Sequence, residues 1–171
     1  FISMIMVLLK RNLLLNKSYS ISNESETMLF LSARAQLVNE NILKSIKDYL
    51  IICDRFTDST LAYQGYGKSI DKDFIIKCNK FITRKLKINL TVIMDLSYQD
   101  SIKRMNKDKI RKETGKDRME LNTEQFFNKV REGYIEISKS DPIRYLVIDA
   151  TKSPESIHEL IWDKLSNEIN H

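Results

Sequence analysis

Asp54 to Lys68 reads DRFTDSTLAYQGYGK, and it holds the residues best suited to chemistry. Arg55 stands two residues past a buried apolar run, Tyr49–Cys53. An arginine held at a strand end presents a rigid guanidinium fork to a phosphate or a carboxylate. Asp54 beside it could orient that fork or hold a magnesium-bound water. The same pair could equally be a plain structural ion pair. The residues that follow weigh against that. Thr60, Tyr63 and Gln64 recur at helical spacing, so a hydroxyl, a phenol and an amide point one way. Such a polar face suits a nucleoside better than a core.

A second stretch, Lys103–Arg118, carries basic residues at 103, 104, 107, 109, 111, 112, 116 and 118 against acids at 108, 113 and 117. Its excess equals the formal charge of the whole chain, +5. A run of this kind is usually a solvated loop. It would also serve as a mobile lid whose arginines neutralise a phosphoryl group in transfer.

Something must position these side chains. Three β-branched runs, Tyr49–Cys53, Leu90–Asp95 and Tyr145–Asp149, are nearly wholly apolar and lead into an aspartate. Runs apolar on both faces and separated by helical stretches describe buried parallel strands. Helical periodicity is expected from Asn23 to Asp48, from Asp71 to Lys87 and from about Ser97. Two more helices start at clear caps: Asn122-Thr123-Glu124-Gln125 and Ser153-Pro154. The alternation predicts an α/β fold with a parallel sheet, as one domain over 1–171. In such sheets the ligand sits beyond the carboxyl ends of the strands. That directs attention to Asp54-Arg55-Phe56, Leu96-Ser97 and Ala150-Thr151.

Composition excludes several classes. The chain has 171 residues with 42% hydrophobic and 30% charged content, enough for a core and unlike a disordered chain. No apolar run reaches the roughly 18 residues that span a bilayer, so no membrane role is expected. Cys53 and Cys78 form no CxxC pair, and two histidines beside them make a poor zinc set. A reducing, cytoplasmic setting is expected. The positive charge is confined to one segment, which speaks against nucleic-acid binding. The opening FISMIMVLLKRNLLL puts its positive charge after the apolar stretch, unlike a signal peptide. It reads as a buried helix already under way in a chain that has lost its beginning.

DRFTDSTLAYQG, preceded by LFLSARAQLV (Leu29–Val38) and followed by DRMELNTEQFFNKVREGY (Asp117–Tyr134), resembles the bacterial thymidylate kinases. TVIMDLSYQDSIKR (Thr91–Arg104) and YLVIDATKSPESI (Tyr145–Ile157) are similar to that family's later strands and helices. The resemblance runs from about Leu13 to the end. It implies a nucleoside monophosphate kinase-like fold of the phosphate-loop class, with helices flanking the parallel sheet and a lid at about 104–120. It implies phosphorylation of dTMP to dTDP by ATP with Mg2+, within dTTP biosynthesis, by a homodimer. Carried over to matching positions, Phe30 stacks on the thymine ring and Arg34, four residues on, bonds the base. Arg55 grips the dTMP phosphate, with Asp54 beside it. Thr60 and Gln64 make polar contacts near the base, and Tyr63 crowds the sugar's 2′ position. Arg111 and Arg118 are the lid candidates for catalysis, and Glu120 is a candidate for the magnesium shell. The other readings are a kinase for a different nucleoside monophosphate and a degenerate, non-catalytic paralogue that binds nucleotide.

One departure stands out. The family's phosphate cradle, G-x-x-x-x-G-K-[ST], has no counterpart before Leu29, where there is no glycine. Ala62–Ser69 (AYQGYGKS) ends in Gly-Lys-Ser, but alanine replaces its first glycine and it does not leave a strand directly. It is rejected as a phosphate loop. The first strands of the fold are therefore expected to be missing, leaving open sheet edges and a chain without ATP binding or activity of its own.

Overall fold

The computed structural model describes residues 20–84, 86–107 and 123–169. The apolar run at 1–15 and most of the expected lid, residues 108–120, lie outside them. Helix α1 spans Asn23–Leu37, capped by Ser22, whose hydroxyl accepts from the Ser25 N–H. It continues through a wider π-wound stretch, Val38–Ile42, into a last turn at Leu43–Ser45. Helix α2 begins at Thr57–Thr60 and also widens into a π-wound stretch, Leu61–Gly67. Helix α3 is Lys72–Thr83, capped by Asp71. It stops at Arg84, whose φ of 50° breaks the helical path in place of a glycine. Strand β1 (Thr91–Asp95) leads to α4 (Tyr98–Lys107). Helix α5 (Glu124–Lys139), β2 (Tyr145–Asp149) and α6 (Pro154–Ile169) complete the described chain.

The caps read from the sequence behave as caps. Thr123 accepts from the Phe126 N–H and Ser153 from the Ser156 N–H. Ser97 does the same for α4, accepting from the Asp100 N–H. Residues 104–107 of the expected lid are the last turn of α4.

β1 and β2 pair in parallel, Thr91 opposite Tyr145 through Asp95 opposite Asp149. The third expected strand, Tyr49–Cys53, is not one: no described strand pairs with it. A strand exists only as part of a ladder, and among the described residues this run has no neighbour that would make it one. Ile52 is 86% exposed, and Tyr49 and Leu50 are exposed as well. Nor are the two strands buried on both faces. Ile93, Tyr145 and Ile148 are buried, but Met94 and Val147 remain exposed on the two-stranded sheet.

Two apolar clusters hold the fold together. One gathers Ala62, Ile93, Val130, Ile137 and Tyr145, where α5 lies between the π-wound stretch of α2 and the sheet. The other gathers Leu31, Val38, Ile42 and Ile82 between α1 and α3. Two glycines let α5 close on α2. A Cβ on Gly133 would sit 2.7 Å from the Tyr66 ring, and one on Gly67 would sit 2.6 Å from the Phe126 ring. No ordinary side chain fits either place.

Candidate functional site

α1 places Phe30 and Arg34 one turn apart, on the same face, and Arg34 reaches the start of α2. Arg34 is the hub. Its Nη2 donates to the Phe56 carbonyl at 2.9 Å and to the Thr60 hydroxyl at 2.6 Å. Its Nη1 donates to Asn79 Oδ1 on α3 at 3.0 Å, while Asn79 donates to the Thr57 carbonyl. The guanidinium also stands 5.7 Å from the Phe56 ring. Burial drives its pKa down to about 10, which still leaves it fully charged at neutral pH. A guanidinium has five N–H donors. Among the described residues these bonds take both Nη2 protons and one on Nη1, leaving the second Nη1 proton and the Nε proton for another partner.

Asp54 and Arg55 are exposed, as residues beyond an unpaired run should be. Arg55 has φ 62°, a left-handed backbone that side chains other than Gly, Asn or Asp rarely adopt. Strain of this kind is kept where the surroundings demand it, often at functional sites. Its guanidinium lies 5.1 Å from the centre of the Tyr63 ring. Tyr63 is held edge-on by two rings of α5, Phe126 at 6.1 Å and Tyr134 at 6.3 Å. The Tyr134 hydroxyl donates to Ser59 Oγ at 2.7 Å, and burial pushes its pKa up, so it stays a neutral donor.

The structure thus brings together Arg34, Thr60 and Asn79 on one side and Arg55 with Tyr63 on the other, with Phe30 half-buried on α1. Thr60 and Gln64 are each 2% exposed, so they belong to the frame of this region more than to its open surface. Gln64 donates to Glu26 Oε1 at 3.1 Å. Arg111, Arg118 and Glu120 lie outside the described residues.

The other strand ends carry no comparable arrangement. Asp95 accepts two hydrogen bonds from Arg131, from Nε at 2.6 Å and Nη2 at 2.8 Å. That fork holds the Asp95 carboxyl below its ordinary value and raises Arg131. Asp149 accepts from the Thr151 hydroxyl and backbone N–H, which holds it low as well. Ser97 caps α4, Thr151 closes a turn on Asp149, and the Ala150 carbonyl accepts from Arg104 Nη2.

Several contributors went unseen in the sequence. Asn79 lies in an unremarkable KCNKF, and Tyr134 and Phe126 look like ordinary α5 core residues. Glu26 did leave a signal: it precedes Phe30 by four and Arg34 by eight residues, on the same face of α1.

Among the described residues no three His, Cys, Asp or Glu side chains are grouped to hold a metal ion. Mg2+ commonly takes one or two carboxylates plus substrate phosphates and waters. The exposed Asp54 carboxylate beside Arg55 fits that smaller role. No described helix is long and apolar enough to cross a membrane.

The family model for thymidylate kinase matches residues 8–161 of the chain. The thymidylate kinase of Kosmotoga olearia is 40% identical over 152 residues, covering 88% of this chain and 71% of the relative. That of Thermosipho melanesiensis is 38% identical over 162 residues, covering 94% and 77%. The crystal structure of thymidylate kinase from Ehrlichia chaffeensis superposes with a TM-score of 0.63 at 27% identity, covering 88% of this chain and 67% of that one.

Proposed function

Because this chain belongs to the thymidylate kinase family, we propose that the pocket framed by α1 and α2 holds dTMP for phosphorylation to dTDP, with ATP as the family's donor. The observation that carries this reading is the state of Arg34. It donates three hydrogen bonds to Phe56, Thr60 and Asn79, while among the described residues two donors stay uncommitted. One flat aromatic, Phe30, stands a turn away on the same face. A planar base that stacks on Phe30 can accept from those two donors. That arrangement suits the carbonyl-rich edge of thymine.

Arg55 then takes the acceptor phosphate. Its backbone is bent to φ 62° and its guanidinium rests against Tyr63, so a charged fork is aimed before substrate arrives. Tyr63, wedged by Phe126 and Tyr134, would occupy the space a ribose 2′-hydroxyl needs. Phosphoryl transfer asks the protein for positioning and charge, not for a covalent intermediate. Arg55 supplies both on the acceptor side, and Arg111 and Arg118 are the lid residues proposed for the donor side. Mg2+ supplies charge neutralisation at the phosphates when bound, with Asp54 and Glu120 as candidate carboxylates. A homodimer working in the cytoplasm for dTTP synthesis completes the reading.

The test is calorimetric titration with dTMP, using dAMP as the comparison. Selective dTMP binding that disappears in Arg34→Ala is the expected result. Equal uptake of both nucleotides, or binding indifferent to Arg34→Ala, would remove the pocket from the proposal. A coupled ADP-release assay with dTMP, ATP and magnesium reads the reaction itself, and residues 1–171, which hold no phosphate loop, are expected to show no turnover in it.

A further inference from the structure

Glu26 has no accessible surface, which is rare for a carboxylate unless it is paired. Its Oε1 accepts from Lys68 Nζ at 2.6 Å and from Gln64 Nε2 at 3.1 Å. The Lys68 side chain is itself only 13% exposed. Gln64 and Lys68 mark the C-terminal part of the π-wound stretch of α2, where the Ile70 N–H also returns to the Gln64 carbonyl at 2.9 Å. At the other end, Arg34 holds the Phe56 carbonyl and the Thr60 hydroxyl. Glu26 and Arg34 sit on one helix, eight residues and so about 12 Å apart along its axis. The segment from Phe56 to Lys68 is thus pinned at both ends to α1 by opposite charges, and Tyr63 lies between the pins.

We infer that Glu26 is a positioning residue for the acceptor pocket: with Arg34 it holds the wide turns of α2 so that the Tyr63 ring stays against Arg55. The physical need is clear. A π-wound stretch is rare and gives up regular α-helical bonding, so something outside it must hold it in place. Within the cluster formed by Glu26, Gln64 and Lys68, the carboxylate is the shared acceptor. Without it the Lys68 ammonium would have to reach water and the Gln64 amide would lose its partner. Both changes draw the same end of α2 away from α1. The inference rests on the acceptor-pocket reading in that it gives Tyr63 and Arg55 their purpose.

The experiment compares Glu26→Ala, Glu26→Gln and Ile148→Ala. Ile148 is 3% exposed in β2, away from the pinned segment, so its alanine variant supplies a general loss of stability. Each is titrated with dTMP at a temperature where all are folded, and amide exchange is followed over 61–67. Glu26→Ala is expected to weaken dTMP by about tenfold, while Ile148→Ala stays within about twofold of the unmodified chain. Glu26→Gln keeps an acceptor for Gln64 but not the charge for Lys68, and should fall between them. Exchange at 61–67 should quicken selectively in Glu26→Ala. Equal losses of affinity in the alanine variants would show that Glu26 acts through stability alone, and overturn the inference. So would unchanged affinity and exchange in Glu26→Ala. If the unmodified chain takes up no dTMP, the proposed function falls, and the exchange comparison alone decides whether Glu26 holds the segment.

Discussion

Two charged anchors in this molecule use similar groups in opposite settings. Glu26 and Lys68 join α1 to α2 out of water, with side chains 0% and 13% exposed. Asp95 and Arg131 join β1 to α5 at the surface, with side chains 22% and 46% exposed. The surface pair has the better geometry, a two-pronged fork. Yet it should matter less. Water can solvate either partner of the surface pair when the other is removed, whereas a buried charge left alone has no replacement. Form alone therefore misleads about which contact holds the fold. The setting decides.

The sharpest way to break that comparison is Lys68→Ala. Taking the ammonium away from the buried Glu26 carboxylate should cost about 3–5 kcal/mol in urea unfolding. A loss below 1 kcal/mol, on the order of a surface pair, would mean that Glu26 is solvated after all. Arg55→Ala comes next and separates binding from folding. It should weaken dTMP by about 1.5–3 kcal/mol in calorimetry, as for a charged hydrogen bond, while the exposed position leaves unfolding nearly unchanged. Gly133→Ala tests the packing where α5 meets α2. A methyl group 2.7 Å from the Tyr66 ring should cost about 1–3 kcal/mol of stability, read from the thermal midpoint.

Arg131→Ala should have the smallest effect, about 0.2–1 kcal/mol, and should shrink further in high salt. Its signature is in the pH dependence. Asp95 titrates below its ordinary value, mainly through the hydrogen bonds from Arg131. Its contribution is therefore present above the unfolded carboxyl pKa and fades as pH falls through the lower folded one. In Arg131→Ala the loss on acidification should be shallower. An identical acid limb in both proteins would show that the fork does not couple to folding.

Much of the fold was legible because it is written locally. Thr123 and Ser153 cap α5 and α6 where hydroxyl-bearing residues precede a helical period. The runs ending in Asp95 and Asp149 form a parallel pair as their β-branched composition implies. The run at 49–53 has the same composition and forms no strand. Composition expresses a tendency, but a ladder needs a second chain segment to complete it. Of the proposed site, the candidates Phe30, Arg34, Arg55, Thr60, Tyr63 and Gln64 were legible through family resemblance. That Arg34 bonds Asn79, or that Gln64 bonds Glu26, was not: the partners are 45 and 38 residues apart.

The sequence by itself determined where the helices start and, through family resemblance, which residues are candidates to meet a nucleotide and that the chain is an α/β protein of the thymidylate kinase family. The helix starts follow from residue type and short-range spacing, which act through neighbours a few positions away. Only the tertiary structure decided which polar groups are buried together. Burial depends on what several elements exclude at once, and α1, α2 and α3 must all be in place before Glu26 and Arg34 lose their water. The same exclusion turns a lysine, a glutamine and a threonine from surface residues into the frame that holds α2.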